Sequence, residues 1–455
     1  MDQRIPHRPR PDVQAAPSWR FPQPAVTTLP NGIELWSFHL PGQHVVATDV
    51  QVELPLASEP RDLEGVASIA LRTADEGTLP HPGSQIAERL EDAGAAFGGE
   101  LDHEATTCTL DVPSTRLAQA LPLLAEIVTQ PSHAAADVDR HVALRLAQID
   151  QIRVQGPQRA NQALRQVTWW WDSRRSRPGA GLADSVARVT RDDVADFHAR
   201  HWTPAATRVL VAGDLSDTAD LVGLVERSFA DWATPGTRPS PVREEPLPTP
   251  PGPVVHLVDR PGAVQVDLRI GGTSVDRLHP DFAALQTACV AVGGSFMSRL
   301  NRVLREERGY TYGVSLGAVP MLHAGQWTLA GSFRTEVAVA ALMEARGLLD
   351  LVSNPLTGDE VDDARTQLVD MAALRYDTPA SIISQARRLA LVGLDPDQVN
   401  RHFANVTAVG TDEASAAFSR HIGPDEGHIV LVGDAEALTR DLELDGYEVR
   451  PLEVY

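Results

Sequence analysis

Thr207–Leu215 reads TRVLVAGDL, and Gly427–Leu438 reads GHIVLVGDAEAL. Each is a short β-rich run that closes on Gly-Asp, and each stands near the end of one half of the chain. A second pair precedes them in the same order. TLDVPSTRLAQALPLLAEIVTQP, Thr109–Pro131, matches TLAGSFRTEVAVAALMEARGLLDLVSNP, Thr328–Pro355. Both read as a strand, then a helix with apolar residues at helical spacing, then a proline break. An acidic, helix-forming segment follows each, from Ala136 and from Thr357. One matched pair is easily had by chance; the same pairs in the same order in both halves indicate a duplication.

Between the halves lies TPGTRPSPVREEPLPTPPGP, Thr234–Pro253. Proline locks φ and withholds a backbone donor, so this stretch suits neither a core helix nor a central strand. Further strands are expected at IELWSFHL, at Val45–Leu54, and at VVHLVDR and VQVDLRI in the second half. They mix with helices in no regular β-α-β alternation, which favours an α+β layer with helices on a mostly antiparallel sheet. The expected organisation is a Pro-rich arm over residues 1–24, a first domain over 25–233, a linker over 234–253 and a second, homologous domain over 254–455.

A 455-residue chain holds more than one core; length alone allows about three domains, or two larger ones. The net charge of −21 argues against general affinity for nucleic acid or anionic membranes. It is compatible with basic peptides, although solubility explains it as well. Cys108 and Cys289 lie far apart without metal-like spacing and read as small buried hydrophobes of a reducing compartment. There is no apolar secretory segment at the N-terminus and no run long enough to span a bilayer, so the expected location is cytoplasmic.

GVASIALRTADEGT, Gly65–Thr78, resembles the zinc-binding helix of the inverted zincins, the pitrilysin, insulysin and mitochondrial processing peptidase family. Other segments resemble the same family: Thr190–Leu215, Val258–Gly272, and above all GGSFMSRLNRVLREERGYTYGVSLGA, Gly293–Ala318. The anchors run from about Pro30 to about Gly433 in the family's order. The family's helix carries H-x-x-E-H; here Ser68 falls on the first His, Leu71 on the Glu and Arg72 on the second His. The third zinc ligand, a Glu on a later helix, falls nearest Gln148, and no Glu stands between Val138 and Ile152. Arginine has no lone pair to give, and glutamine is a poor zinc ligand beside a carboxylate. The catalytic general base of the family, a Glu acting on zinc-bound water, is replaced by Leu71.

The resemblance implies that an Arg and a Tyr from the second domain bind substrate and stabilise the developing oxyanion; they fall at Arg305 and Tyr312. Arg308 and Tyr310 are the competing positions, with Arg308 a candidate ion-pair partner of Glu306 or Glu307. Gly293 and Gly294 read either as a loop near substrate or as a flexible turn. His198 and His201 stand at i, i+3 on a helix opened by Thr190, a spacing that can chelate metal but here reads as packing. His103-Glu104 lacks a second imidazole at a chelating interval, and Ser68 lacks the base a nucleophile needs. Trp169 to Trp171 read as core or interface packing rather than a peptide platform.

The resemblance thus implies a non-catalytic subunit of a heteromeric zinc metallopeptidase. This chain would bind no metal; zinc would sit in a homologous partner subunit that carries the intact motif, the substrate would be a peptide, and the assembly a heterodimer or larger. The alternative is an inert scaffold or peptide-binding protein, as in the non-catalytic core subunits of a respiratory complex. Independent chemistry has no convergent triad, activated cysteine or phosphate loop to carry it.

Overall fold

The structure, a computed structural model, describes residues 19–455. Two six-stranded sheets organise it. The first is built from β1 (Ala25–Thr28), β2 (Glu34–His39), β3 (Val45–Glu53), β4 (Ala96–Leu101), β5 (Ala105–Pro113) and β6 (Thr207–Gly213), in the order β1-β2-β6-β3-β5-β4. The second is built from β7 (Val254–Asp259), β8 (Gln265–Ser274), β9 (Val314–Pro320), β10 (Gly325–Arg334), β11 (His428–Gly433) and β12 (Glu448–Pro451), in the order β12-β7-β11-β8-β10-β9. Five positions correspond strand for strand, while the edge beyond β2 and β7 differs: β1 lies antiparallel on β2, and β12, from the end of the chain, lies parallel on β7. In each sheet the Gly-Asp strand lies parallel to the first long strand (β6 on β2, β11 on β7) and antiparallel to the next (β3, β8). The β6 and β11 runs identified from sequence are therefore central strands, every residue of both buried. The fold is α+β with two homologous, mostly antiparallel units.

Helices of the first half are α1 (Val66–Arg72), α2 (Gln85–Asp92), α3 (Leu117–Thr129), α4 (Ala135–Val154), α5 (Gly156–Thr168), α6 (Ala183–Val186), α7 (Arg191–His201) and α8 (Leu221–Ser228). Those of the second are α9 (Phe282–Cys289), α10 (Ala338–Leu348), α11 (Gly358–Val369), α12 (Ala372–Arg375), α13 (Pro379–Leu391), α14 (Gln398–Ala408), α15 (Thr411–His421) and α16 (Ala435–Leu444). Thr190 opens α7 as expected: its hydroxyl accepts the Asp193 N–H while the Asp193 carboxylate accepts the Thr190 N–H. Thr357 and Glu360 repeat that box at α11.

Each half has its own core between sheet and helices. The opposite face of each sheet is covered by a helix from the other half. Ile382, Ile383, Ala386 and Leu389 of α13 pack on Phe38, Ala47, Leu210 and Ala212 of the first sheet. Ala160, Ala163, Leu164 and Val167 of α5 pack on Val258, Val430 and Val432 of the second. The two units are therefore interlocked.

The arm read over residues 1–24 lies outside the described residues as far as Ser18. From Trp19 the chain is anchored rather than loose: Phe21 is 2% exposed, and the Trp19 ring stacks on Tyr376 at 5.4 Å. These contacts outweigh the surrounding prolines, because the buried Phe21 and Tyr376 rings, 5.2 Å apart, remove a large apolar area from water. Cys108 and Cys289 are buried free thiols, and burial pushes Cys289 up to about 12. Among the described residues no helix is long and apolar enough to cross a membrane.

Candidate functional site

Helix α1 is the helix on which the zinc motif would stand. Gly65 enters it at φ 107°, a left-handed conformation that favours glycine, with Val186 and the Ala180 carbonyl too close for a Cβ. Its first turn is held by the buried Glu59, whose Oε1 accepts the Gly65 and Ala67 N–H groups at 3.0 Å each. Arg174 in turn donates to Glu59 Oε2 at 2.9 and 2.8 Å. Burial dominates at Glu59 and pushes its carboxyl up, against Arg174 and the two N–H groups.

The side chains at the motif positions do not fit zinc. Leu71 is 4% exposed and lies against β4, where a Cβ on Gly99 would meet its Cδ1 at 2.9 Å. Ser68 is half-buried, Arg72 is exposed, and Gln148 is exposed on α4. One hydroxyl, one hydrocarbon, one cation and one amide make no site for a divalent ion. At the end of α1 a different set has formed. Glu76 pairs with His141 Nε2 at 2.7 Å and with Arg140 at 2.9 Å, tying α1 to α4. The guanidinium in that set opposes a metal. Nothing in the sequence distinguishes Glu76 and His141 from ordinary surface residues; only the packing of α1 on α4 brings them together.

The Arg305 and Tyr312 positions lie in the second half, before β9. Val290–Gly294 and Asn301–Glu307 are π-helical, a wide turn common at functional sites. The Arg305 guanidinium sits over the Phe296 ring at 3.6 Å and donates Nε to Glu306 at 2.9 Å. Its Nη1 has no acceptor among the described residues. Tyr312 is 98% exposed. It borders an open groove with Gln265, Arg269 and Ser332, and no hydrogen bond joins it to Arg305. Arg308 pairs with Glu344 at 2.8 and 2.9 Å, not with Glu306 or Glu307, because its side chain reaches across to α10. Tyr310 packs half-buried on the core. Gly293 is buried, and a Cβ there would meet Leu316 Cβ at 2.5 Å; close packing on β9 requires that glycine. Gly294 is exposed.

The family described as Insulinase (Peptidase family M16) matches residues 36–173, and that described as Peptidase M16 inactive domain matches 188–368. The chain belongs to peptidase family M16. An uncharacterized zinc protease of Mycobacterium tuberculosis is 30% identical to this M16 chain over 64% of it and 66% of the relative. The match thus spans just under two thirds of the mycobacterial protein. A probable mitochondrial-processing peptidase subunit beta of Arabidopsis thaliana is 23% identical over 48% of this chain and 41% of its own length. The crystal structure of a peptidase M16 inactive domain from Pseudomonas fluorescens superposes with TM-score 0.82 at 22% identity. It covers 90% of this chain and 98% of the other. No H-x-x-E-H stretch occurs in this M16 sequence.

Several other histidines of the M16 chain are packed or ion-paired. His198 packs on His133 and Trp202, donates its Nε2–H to Val128 O (2.9 Å), and is pushed by burial down to about 4. His201 packs on Phe197. His103 is pushed to about 3 by burial and then by Arg175, which pairs with Glu104. His279, Asp281 and His421 could converge on a metal, but Arg420 takes both Asp281 oxygens at 2.9 and 3.0 Å. Trp169 is buried, while Trp170 and Trp171 are exposed, with Arg61 over Trp171 at 4.8 Å.

Proposed function

We propose that this M16 chain is the non-catalytic subunit of a two-chain zinc metallopeptidase acting on peptides. The observation that carries this reading is an asymmetry. The motif helix holds Ser68, Leu71 and Arg72, with Gln148 on α4, whereas Arg305 keeps an open donor and Tyr312 faces fully outward. Phe296 (72% exposed), beneath the Arg305 guanidinium, and its neighbour Met297 are exposed apolar surface, the kind that partners and extended peptides cover. The zinc, its activated water and the general base would come from a homologous partner subunit carrying the intact motif. As water adds to the peptide carbonyl, negative charge develops on its oxygen. The Arg305 guanidinium and Tyr312 hydroxyl would donate hydrogen bonds to that oxygen.

The test is peptide hydrolysis by this chain alone, by a motif-bearing homologue from the same source alone, and by the mixture, with metal content recorded. The expected outcome is activity in the mixture only, with Tyr312→Phe lowering kcat by about a hundredfold. The Arg305–Glu306 pair favours a second reading, an inert scaffold, since it holds the guanidinium within its own chain. A mixture no more active than the homologue, or indifferent to Arg305→Ala and Tyr312→Phe, would establish that reading instead.

A further inference from the structure

All 40 basic residues of this chain are arginine, set against 61 acids. In such a chain a guanidinium readily finds a carboxylate. Arg174, Arg177, Arg208, Arg299 and Arg387 all do. Other arginines do not, and a cavity of about 360 Å³ in the second half gathers three of those. Arg277, Arg375 and Arg388 line it, and among the described residues none of the three has a carboxylate within ion-pair distance. Arg388 donates to two neutral groups, Ser384 Oγ at 3.0 Å and Gln385 Oε1 at 3.2 Å. The guanidinium groups of Arg277 and Arg375 donate to nothing among the described residues.

The acids whose charge reaches Arg388 are committed elsewhere. Glu100 and Asp49 pair with Arg387, and Asp102 accepts the Glu104 and Ala105 N–H groups at 2.7 Å each. His402, also on the wall, is held to about 4 by burial and then by Arg277 and Arg375, so at neutral pH it adds no charge. Burial first, and the Arg388 charge second, push the Arg277 guanidinium down from its usual range. The rest of the lining is mixed, with Phe282, Leu389, Tyr376 and Phe403 beside polar groups such as Gln286 and Gln398. Arg277 is half-buried and Arg375 and Arg388 stand exposed at the rim, so three guanidiniums share one cavity with no carboxylate of the chain among them. A guanidinium is also the group best shaped to hold a phosphate or carboxylate in a forked pair of hydrogen bonds.

We propose that this cavity binds a small organic oxyanion, a phosphate or carboxylate carried on an apolar or aromatic body. Its size suits a small molecule. It is separate from the Arg305 and Tyr312 region. Pro320, at the far end of β9, lines the cavity, whereas Tyr312 precedes the near end, and a strand of that length runs roughly 20 Å.

The test is calorimetric titration of the full chain with phenyl phosphate and with phenylacetate, with benzylamine as the cationic control. Saturable one-site binding of either anion, and none of benzylamine, is expected; the preferred anion identifies the head group. Arg375→Gln, at the exposed rim where folding is not at stake, should weaken binding by about tenfold. Arg401→Gln, outside the cavity, should leave it unchanged. Arg388→Met, also at the exposed rim, should abolish binding while leaving the thermal midpoint of the ligand-free chain unchanged; a merely structural arginine would lower it. No saturable binding of either anion, or equal binding by Arg375→Gln and the parent, would overturn the proposal.

Discussion

At the scale of single residues, that Ser68, Leu71, Arg72 and Gln148 make a poor donor set for zinc is legible in the sequence, because donor chemistry is a property of residue type. What Leu71 touches is not. Leu71 has joined the core and presses on Gly99. Leu71→Glu should therefore destabilise the chain by about 3 kcal/mol or more, since it buries a carboxylate with no partner. A fall in the urea midpoint measures it; an unchanged midpoint would show that water reaches the position. The buried histidines set a second expectation. Burial, and then the His198 charge, hold His133 near 3, and burial holds His198 near 4, both below the 6.5 of the unfolded chain. The unfolded state then binds protons that the folded state refuses, so stability is full above pH 6.5 and falls as pH drops toward 4. Each contributes a loss of roughly 2 kcal/mol by about pH 5. His133→Gln should flatten that slope in urea titrations between neutral and acid pH.

At the scale of elements, helices and central strands followed from periodicity and capping signals, as Thr190 and Thr357 show. Their supports did not. The first turn of α1 rests on Glu59, which precedes the helix, and on Arg174, more than a hundred residues later. No local pattern announces that pair, since its meaning lies in burial: both side chains are almost wholly excluded from water. Removing one partner leaves the other charge stranded, so Glu59→Ala should cost about 3–5 kcal/mol. The double variant Glu59→Ala/Arg174→Ala should be less unstable than the sum of the singles by about 1–3 kcal/mol. Additive effects in that cycle would mean that Arg174 acts through the carbonyls of Pro178 and Gly179, which it also reaches, and not through Glu59.

At the scale of the whole molecule, the sequence revealed two copies of one unit but not how they are joined. An apolar helix face shows that something covers it, never which sheet does. Here α5 lies on the second sheet and α13 on the first, so each unit completes the other's core. That exchange predicts cooperative unfolding in spite of the duplication. Ile383 is fully buried against the first sheet, and Ile383→Ala should cost about 2–5 kcal/mol. The effect should appear in the other half, as faster amide exchange along β3 and β6, where Ala47 and Leu210 contact α13. Leu164→Ala in α5 should do the same to β8 and β11. Calorimetry of the parent should show one transition, lowered as a unit by either substitution. Two resolved transitions, with Ile383→Ala moving only that of its own half, would mean that the units are neighbours rather than partners. The crossing helices would then guide assembly without coupling stability, because coupling requires that neither sheet keep its covered face when the other unit unfolds.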